Sequence, residues 1–141
     1  VTFCKSPHEV ASECNLIITA TASKDFVLSN NDILEGTHIN AIGSDTPSKR
    51  ELGPGIIEKA DLVIADSIEQ CKYRGEIACS IRDGNLNLDN VVELGDVLSG
   101  KISGRESKSQ ITVSDLTGVA VQDIKIADSV YKKFMEDKNE I

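Results

Sequence analysis

Asp45 is the side chain around which chemistry could most readily be organised. It follows the apolar run Thr37–Ile42 and the pair Gly43-Ser44, with Lys49 and Arg50 close behind it in sequence. A carboxylate at the C-terminal end of a buried strand can serve as general acid or base if partial burial raises its pKa. Gly43 permits backbone geometry that other residues resist. The same residues also fit a plain turn in which Asp45 caps the chain before Pro47, and spacing alone does not choose.

Two other places invite a ligand. Thr19-Ala20-Thr21-Ala22-Ser23 follows the run Leu16–Ala20; small and hydroxylated residues there let a ligand approach the backbone and offer N–H and O–H donors. Composition alone favours an ordinary strand-to-loop turn at that point. Asp115-Leu116-Thr117-Gly118 follows the run Ile111–Ser114, and a helix N-terminus opening at Gly118 would favour an anion; a purely structural turn fits equally well. His38 alternates with Ile39 inside a strand and reads as packed or edge-facing, and His8 as solvated in a first helical turn. Cys4, Cys14, Cys71 and Cys79 form no CxxC pair, and with two histidines they make no metal site. They read as reduced thiols, buried as small hydrophobes, in a cytoplasmic protein.

The elements that must position these residues alternate along the chain. Val1–Cys4 reads as a strand, then Ser6 as N-cap, Pro7 at the first helical position and Glu9 three residues after the cap start a helix. Leu16–Ala20, Thr37–Ile42 and Leu62–Ala65 are continuous β-rich runs of the kind buried on both faces of a parallel sheet. Asn31–Leu34 and Pro54–Ala60 read as short helices. Ser67 caps a longer helix running to about Arg82, with Asp83-Gly84-Asn85 as its stop. Val91–Leu94 is a weak strand or a connector into a short helix near Val97-Leu98, and 100–109 a surface loop. Ile111–Ser114 is the last strand. In the last helix Ala120, Ile124, Ala127, Tyr131 and Phe134 share one face. Strand–helix alternation of this kind predicts an α/β fold: a parallel sheet with helices on both sides, in one domain.

The 141 residues are 40% hydrophobic and 27% charged, ordinary for a globular protein, and no apolar stretch approaches a membrane span. A formal net charge of −8 argues against nucleic acid, whose phosphates need clustered cations. No GxGxxG occurs, although a dinucleotide-binding domain carries that loop after its first strand.

The segments IITATAS (17–23), EGTHINAIGSDTPSKREL (35–52), ADLVIADSIEQCKYRGEI (60–77), ELGDVLSGKISGRES (93–107) and DLTGVAVQD (115–123) resemble the ornithine cyclodeaminase/mu-crystallin family, on the side of its archaeal-type alanine dehydrogenases. The resemblance implies a three-layer Rossmann-type domain, incomplete because the glycine-rich first βαβ part is absent, that binds NAD or NADP within a longer, homodimeric, cytoplasmic enzyme of amino-acid metabolism. By position, Asp45 matches the catalytic aspartate and Lys49 a cofactor-contacting lysine. Thr19, Ala20, Thr21, Ile42 and Gly43 match residues lining the nicotinamide and its ribose; Leu116, Thr117 and Gly118 fall at the third wall. Ala22 stands where the family usually has proline, and Leu116 where a serine is common. The family's glycine-rich loop and its substrate-binding Arg and Lys would fall before Val1, so the chain by itself is expected to bind NAD feebly and to be inactive.

The activity so implied is oxidation of L-alanine to pyruvate and ammonia, with hydride passing to the nicotinamide and Asp45 shuttling protons. The alternatives are cyclodeamination of ornithine to proline with the cofactor recycled, and a non-catalytic cofactor-binding protein like the mu-crystallins. The choice between NAD and NADP depends on an acidic residue that would lie upstream.

Overall fold

A computed structural model describes residues 1–84, 86 and 88–139. Five short strands form one all-parallel sheet: β1 (Leu16–Thr19), β2 (His38–Ala41), β3 (Leu62–Ala65), β4 (Val91–Glu93) and β5 (Thr112–Asp115), in the order β1-β2-β5-β3-β4. β1 (LIIT) and β3 (LVIA) are runs of β-branched or apolar residues, which pack well on a pleated surface, while β2, β4 and β5 mix such residues with polar ones. Six helices connect or flank them: α1 (Pro7–Glu13), α2 (Ile56–Lys59), α3 (Ile68–Cys71), α4 (Gly75–Arg82), α5 (Leu94–Leu98) and α6 (Ala120–Asn139). The sequence expectation of a parallel α/β sheet holds.

The core lies on one face of the sheet. Ile17, Ile39, Val113 and Val63 point there and meet Ala11 of α1, Ile56 and Ile57 of α2 and Ile77 of α4, all nearly inaccessible. Burying each such aliphatic side chain stabilises by about 1.5–3 kcal/mol. The other face is open over β1 and β2, where Leu16, Ile18 and Ile42 are 56%, 60% and 42% exposed. The run at 16–20 is thus buried on one face, not on two.

Three other local expectations change. Residues 1–4 are not a strand and pair with none of the described strands. The helix expected from Ser67 to Arg82 is two helices; Ser67 caps α3 by accepting from the Gln70 N–H, but the chain turns at Lys72–Arg74 and restarts at Gly75, whose φ is +88°. The expected stop at Asn85 lies outside the described residues. Last, α6 forms as expected, yet Ala120, Ile124, Ala127, Tyr131 and Phe134 are all exposed. It is supported along its surface by ion pairs one turn apart, Asp128–Lys132 and Lys133–Asp137.

Candidate functional site

Because β5 inserts between β2 and β3, the tips of β1, β2 and β5 are neighbours. Thr19 pairs with Ala41, and Ala41 with Asp115, so the strands end in register. The three ligand-inviting segments of the sequence, widely separated along the chain, therefore share one end of the sheet. Ligands of open parallel sheets bind at that carboxyl end.

The tips of β1 and β2 are joined by Glu51. Its Oε1 accepts from the Thr21 N–H (2.5 Å) and the Thr21 hydroxyl (2.7 Å), and its Oε2 from the Gly43 N–H (2.9 Å). Gly43 lies so close that a Cβ there would stand 2.4 Å from the Thr21 carbonyl oxygen. Thr19, Ala20 and Thr21 also line a groove of about 360 Å³ between β1 and the start of α1. The Thr19 hydroxyl is buried and has no hydrogen-bond partner among the described residues.

Three more carboxylates extend this bracing. Glu76, in the first turn of α4, accepts from the Glu51 and Leu52 N–H groups at 2.7 and 3.1 Å. Asp115, at the tip of β5, accepts from the Ile77 N–H at 2.8 Å and so caps α4. This cap explains the interrupted helix, since a Cβ at Gly75 would stand 2.4 Å from an Asp115 carboxylate oxygen. Asp66, after β3, accepts from the Gly118 N–H at 2.7 Å and the Thr117 hydroxyl at 3.2 Å. The N–H donor that could have met an external anion at Gly118 is thus taken by the protein's own carboxylate. Gln70 adds hydrogen bonds to the Thr117 hydroxyl and the Gly118 carbonyl.

Burial shapes the protonation of these groups. Desolvation raises the Asp115 carboxyl to about 7, against the lowering effect of its backbone donors, and desolvation raises Glu76 as well. The Cys71 thiol beneath Asp115 and Asp66 is pushed up to about 12, first by burial and then by those charges, so it stays a neutral thiol.

Asp45 behaves in the opposite way. It is exposed, and its Oδ1 accepts from the Lys49 ammonium at 2.6 Å. That hydrogen bond holds the carboxyl below its ordinary value, so the burial-raised pKa entertained from the sequence is not what the structure has. Asp45 is an ionised acceptor at neutral pH. Of the other sequence candidates, Thr19 and Thr117 are buried, Gly43, Lys49 and Leu116 half-buried, and Ala20, Thr21, Ile42 and Gly118 exposed. All stand at the carboxyl end of the sheet. His38 is packed as expected, bonding the Thr112 hydroxyl and Asn40.

Sequence reasoning passed over Glu51, Glu76 and Asp66. Glu76 was the most visible of them, an acid followed at once by Ile77-Ala78-Cys79 in a helix. The thiol expectation divides: Cys71 and Cys79 are buried, but Cys14 is exposed and Cys4 half-exposed, and all four are free. Cys14 follows α1 as its C-cap, outside the packed face. Among the described residues no helix is long and apolar enough to cross a membrane.

Comparison with known proteins gives this geometry a lineage. Residues 1–138 match the model of the ornithine cyclodeaminase/mu-crystallin family. An alanine dehydrogenase of Archaeoglobus fulgidus is 42% identical over 127 residues, 89% of this chain and 39% of that protein. A solved archaeal alanine dehydrogenase dimer with bound NAD superposes with a TM-score of 0.84 at 39% identity, covering 89% of this chain and 39% of its own. The Delta(1)-pyrroline-2-carboxylate reductase of Thermococcus litoralis, solved with NADH and L-proline, gives 0.90 at 28% identity, over 96% of this chain and 42% of its own. The chain thus spans about two fifths of the length of these relatives. Others are named iminosuccinate reductase and ornithine cyclodeaminase, so the relatives share a fold and differ in substrate. From its match along nearly its whole length, the chain belongs to the ornithine cyclodeaminase/mu-crystallin family.

Proposed function

We propose that this chain is the nicotinamide-side part of a dinucleotide-binding domain in a longer NAD(P)-dependent enzyme that oxidises or reduces a small amino or imino acid. L-alanine, converted to pyruvate and ammonia, is the best substrate reading, because the alanine dehydrogenase of Archaeoglobus fulgidus is 42% identical. The observation that carries the proposal is the meeting of three strand tips around Gly43, with the Asp45–Lys49 pair at the mouth.

The residues present fit such a cofactor. Gly43 lets the β1 and β2 tips close around Glu51 with no side chain between them, and the buried Thr19 hydroxyl has no hydrogen-bond partner among the described residues. Around Gly118, with φ +85°, even an added Cβ would meet nothing within 4 Å. When bound, the nicotinamide supplies the hydride chemistry. Asp45, kept ionised by Lys49, accepts a proton from the substrate amine or from water and orients it. Lys49 neutralises and aims that carboxylate, and its ammonium contacts the cofactor. Thr19, Ala20, Thr21, Ile42 and Gly43 line the ring and ribose, with Leu116, Thr117 and Gly118 as the opposite wall. Four unpaired cysteines suit a reducing cytoplasm, and the whole enzyme is a homodimer, in keeping with the dimer of its archaeal relative.

In the intact enzyme, Asp45→Asn is expected to lower turnover by about 100-fold or more while NAD(P)H still binds. Unchanged turnover overturns the catalytic assignment and favours a binding protein. Net NADH formation with alanine, set against proline formation from ornithine, separates dehydrogenase from cyclodeaminase.

A further inference from the structure

Glu51 is fully buried, yet among the described residues its carboxylate meets no cation. It accepts from three donors on two loops that lie 30 and 8 residues away in sequence: the Thr21 N–H, the Thr21 hydroxyl and the Gly43 N–H. Burying a carboxylate is costly unless hydrogen bonds replace its water, and here they come from the two tips that face each other across the crevice. The Glu51 main chain is anchored too, its own N–H donating to Glu76 at 2.7 Å. Only glycine fits at position 43, because a Cβ there would stand 2.3 Å from Oε1.

We infer that Glu51 is a positioning residue: its carboxylate sets the separation of Thr21 and Gly43, and with it the width of the slot for the nicotinamide end of the cofactor. The inference rests on the crevice reading proposed above. It depends on charge pattern more than on shape. Two carboxylate oxygens satisfy three donors; a glutamine of the same size has one acceptor oxygen, and its NH₂ must face an N–H or O–H. One tip then has to move, although the volume is unchanged. On the crevice reading the far half of the cofactor would lie beyond both tips, so its binding would be insulated from the change.

The test compares NAD with ADP, which lacks the nicotinamide riboside half, by calorimetry on the intact enzyme. Glu51→Gln is expected to weaken NAD by about tenfold or more while ADP changes by less than about twofold. Glu51→Asp keeps both acceptors at shorter reach and is expected to show the same selectivity with a smaller loss; if Glu51→Gln does not fold, this variant decides. Equal losses for both nucleotides, or no loss of NAD, overturn the inference and leave the crevice reading standing. A wild-type enzyme that binds ADP but gains nothing from the nicotinamide half sinks the crevice reading itself, and the inference with it.

Discussion

The two ends of the sheet are braced by opposite charges. At the carboxyl end Glu51, Glu76, Asp115 and Asp66 accept from backbone N–H groups, and the first three are almost wholly buried. At the amino end cations donate to backbone carbonyls: Arg105 to Gly36 at 2.6 Å and Lys108 at 2.9 Å, and Lys59 to Ile33 at 2.6 Å. Asp61, which accepts from Ile111, is the exception. In a parallel sheet each strand leads into the N-terminal side of the next helix, where N–H groups lack partners, and is entered from the C-terminal side of the previous one, rich in free carbonyls. The difference in burial carries the lesson. The amino end is tied by solvated cations, whereas the carboxyl end, where the proposed crevice lies, is held by carboxylates removed from water.

That contrast can be broken from either side. Gly75→Ala strikes the buried brace hardest: its Cβ would stand 2.4 and 2.6 Å from the two Asp115 oxygens at a φ of +88°. A loss of about 3–5 kcal/mol is expected in denaturant unfolding, from strain plus displacement of the cap; a loss below ~1 kcal/mol would show that the cap gives way freely. Asp115→Asn sharpens the comparison through pH. With its folded carboxyl raised to about 7 from an ordinary 3.8, the native state binds the proton more tightly than the unfolded chain. The stabilisation this gives is complete below about 4 and is lost as pH rises through about 7. Asparagine does not titrate, so its advantage over wild type should widen by about 2–3 kcal/mol between pH 5 and pH 8. Parallel curves for the two proteins would mean that Asp115 titrates normally. Smallest is Arg105→Ala, which removes exposed donors from carbonyls that water can reach. A loss of about 1–2 kcal/mol, the same at pH 5 and pH 8, is expected in thermal melts; a pH-dependent loss would erase the distinction between the ends.

Much of this architecture is written locally. Ser6, Pro7 and Glu9 announce α1, and Ser6 does accept from the Glu9 N–H. The runs at 16–19 and 62–65 become strands because their β-branched and apolar side chains suit a pleated, packed surface. Asp45 and the small residues at 19–23 stood out because polar and small groups just after apolar runs mark strand tips. Val1–Cys4 has the same local pattern and is no strand, since a strand needs a neighbour and no described strand offers one. The break before Gly75 was invisible because its cause, the Asp115 carboxylate, is 40 residues away. Nothing in Lys49-Arg50-Glu51 marks out Glu51, for the same reason.

The amino-acid sequence by itself determined the alternation of strands and helices, the caps and the kinds of residue that come after each strand, because these depend on neighbours within a turn or two. Tertiary structure alone decided that β5 enters between β2 and β3, that Asp45 is ionised against Lys49, and that Glu51 is buried between Thr21 and Gly43. Strand order and the fate of a carboxylate depend on desolvation and on donors supplied by distant segments, and the chain must fold before those forces exist.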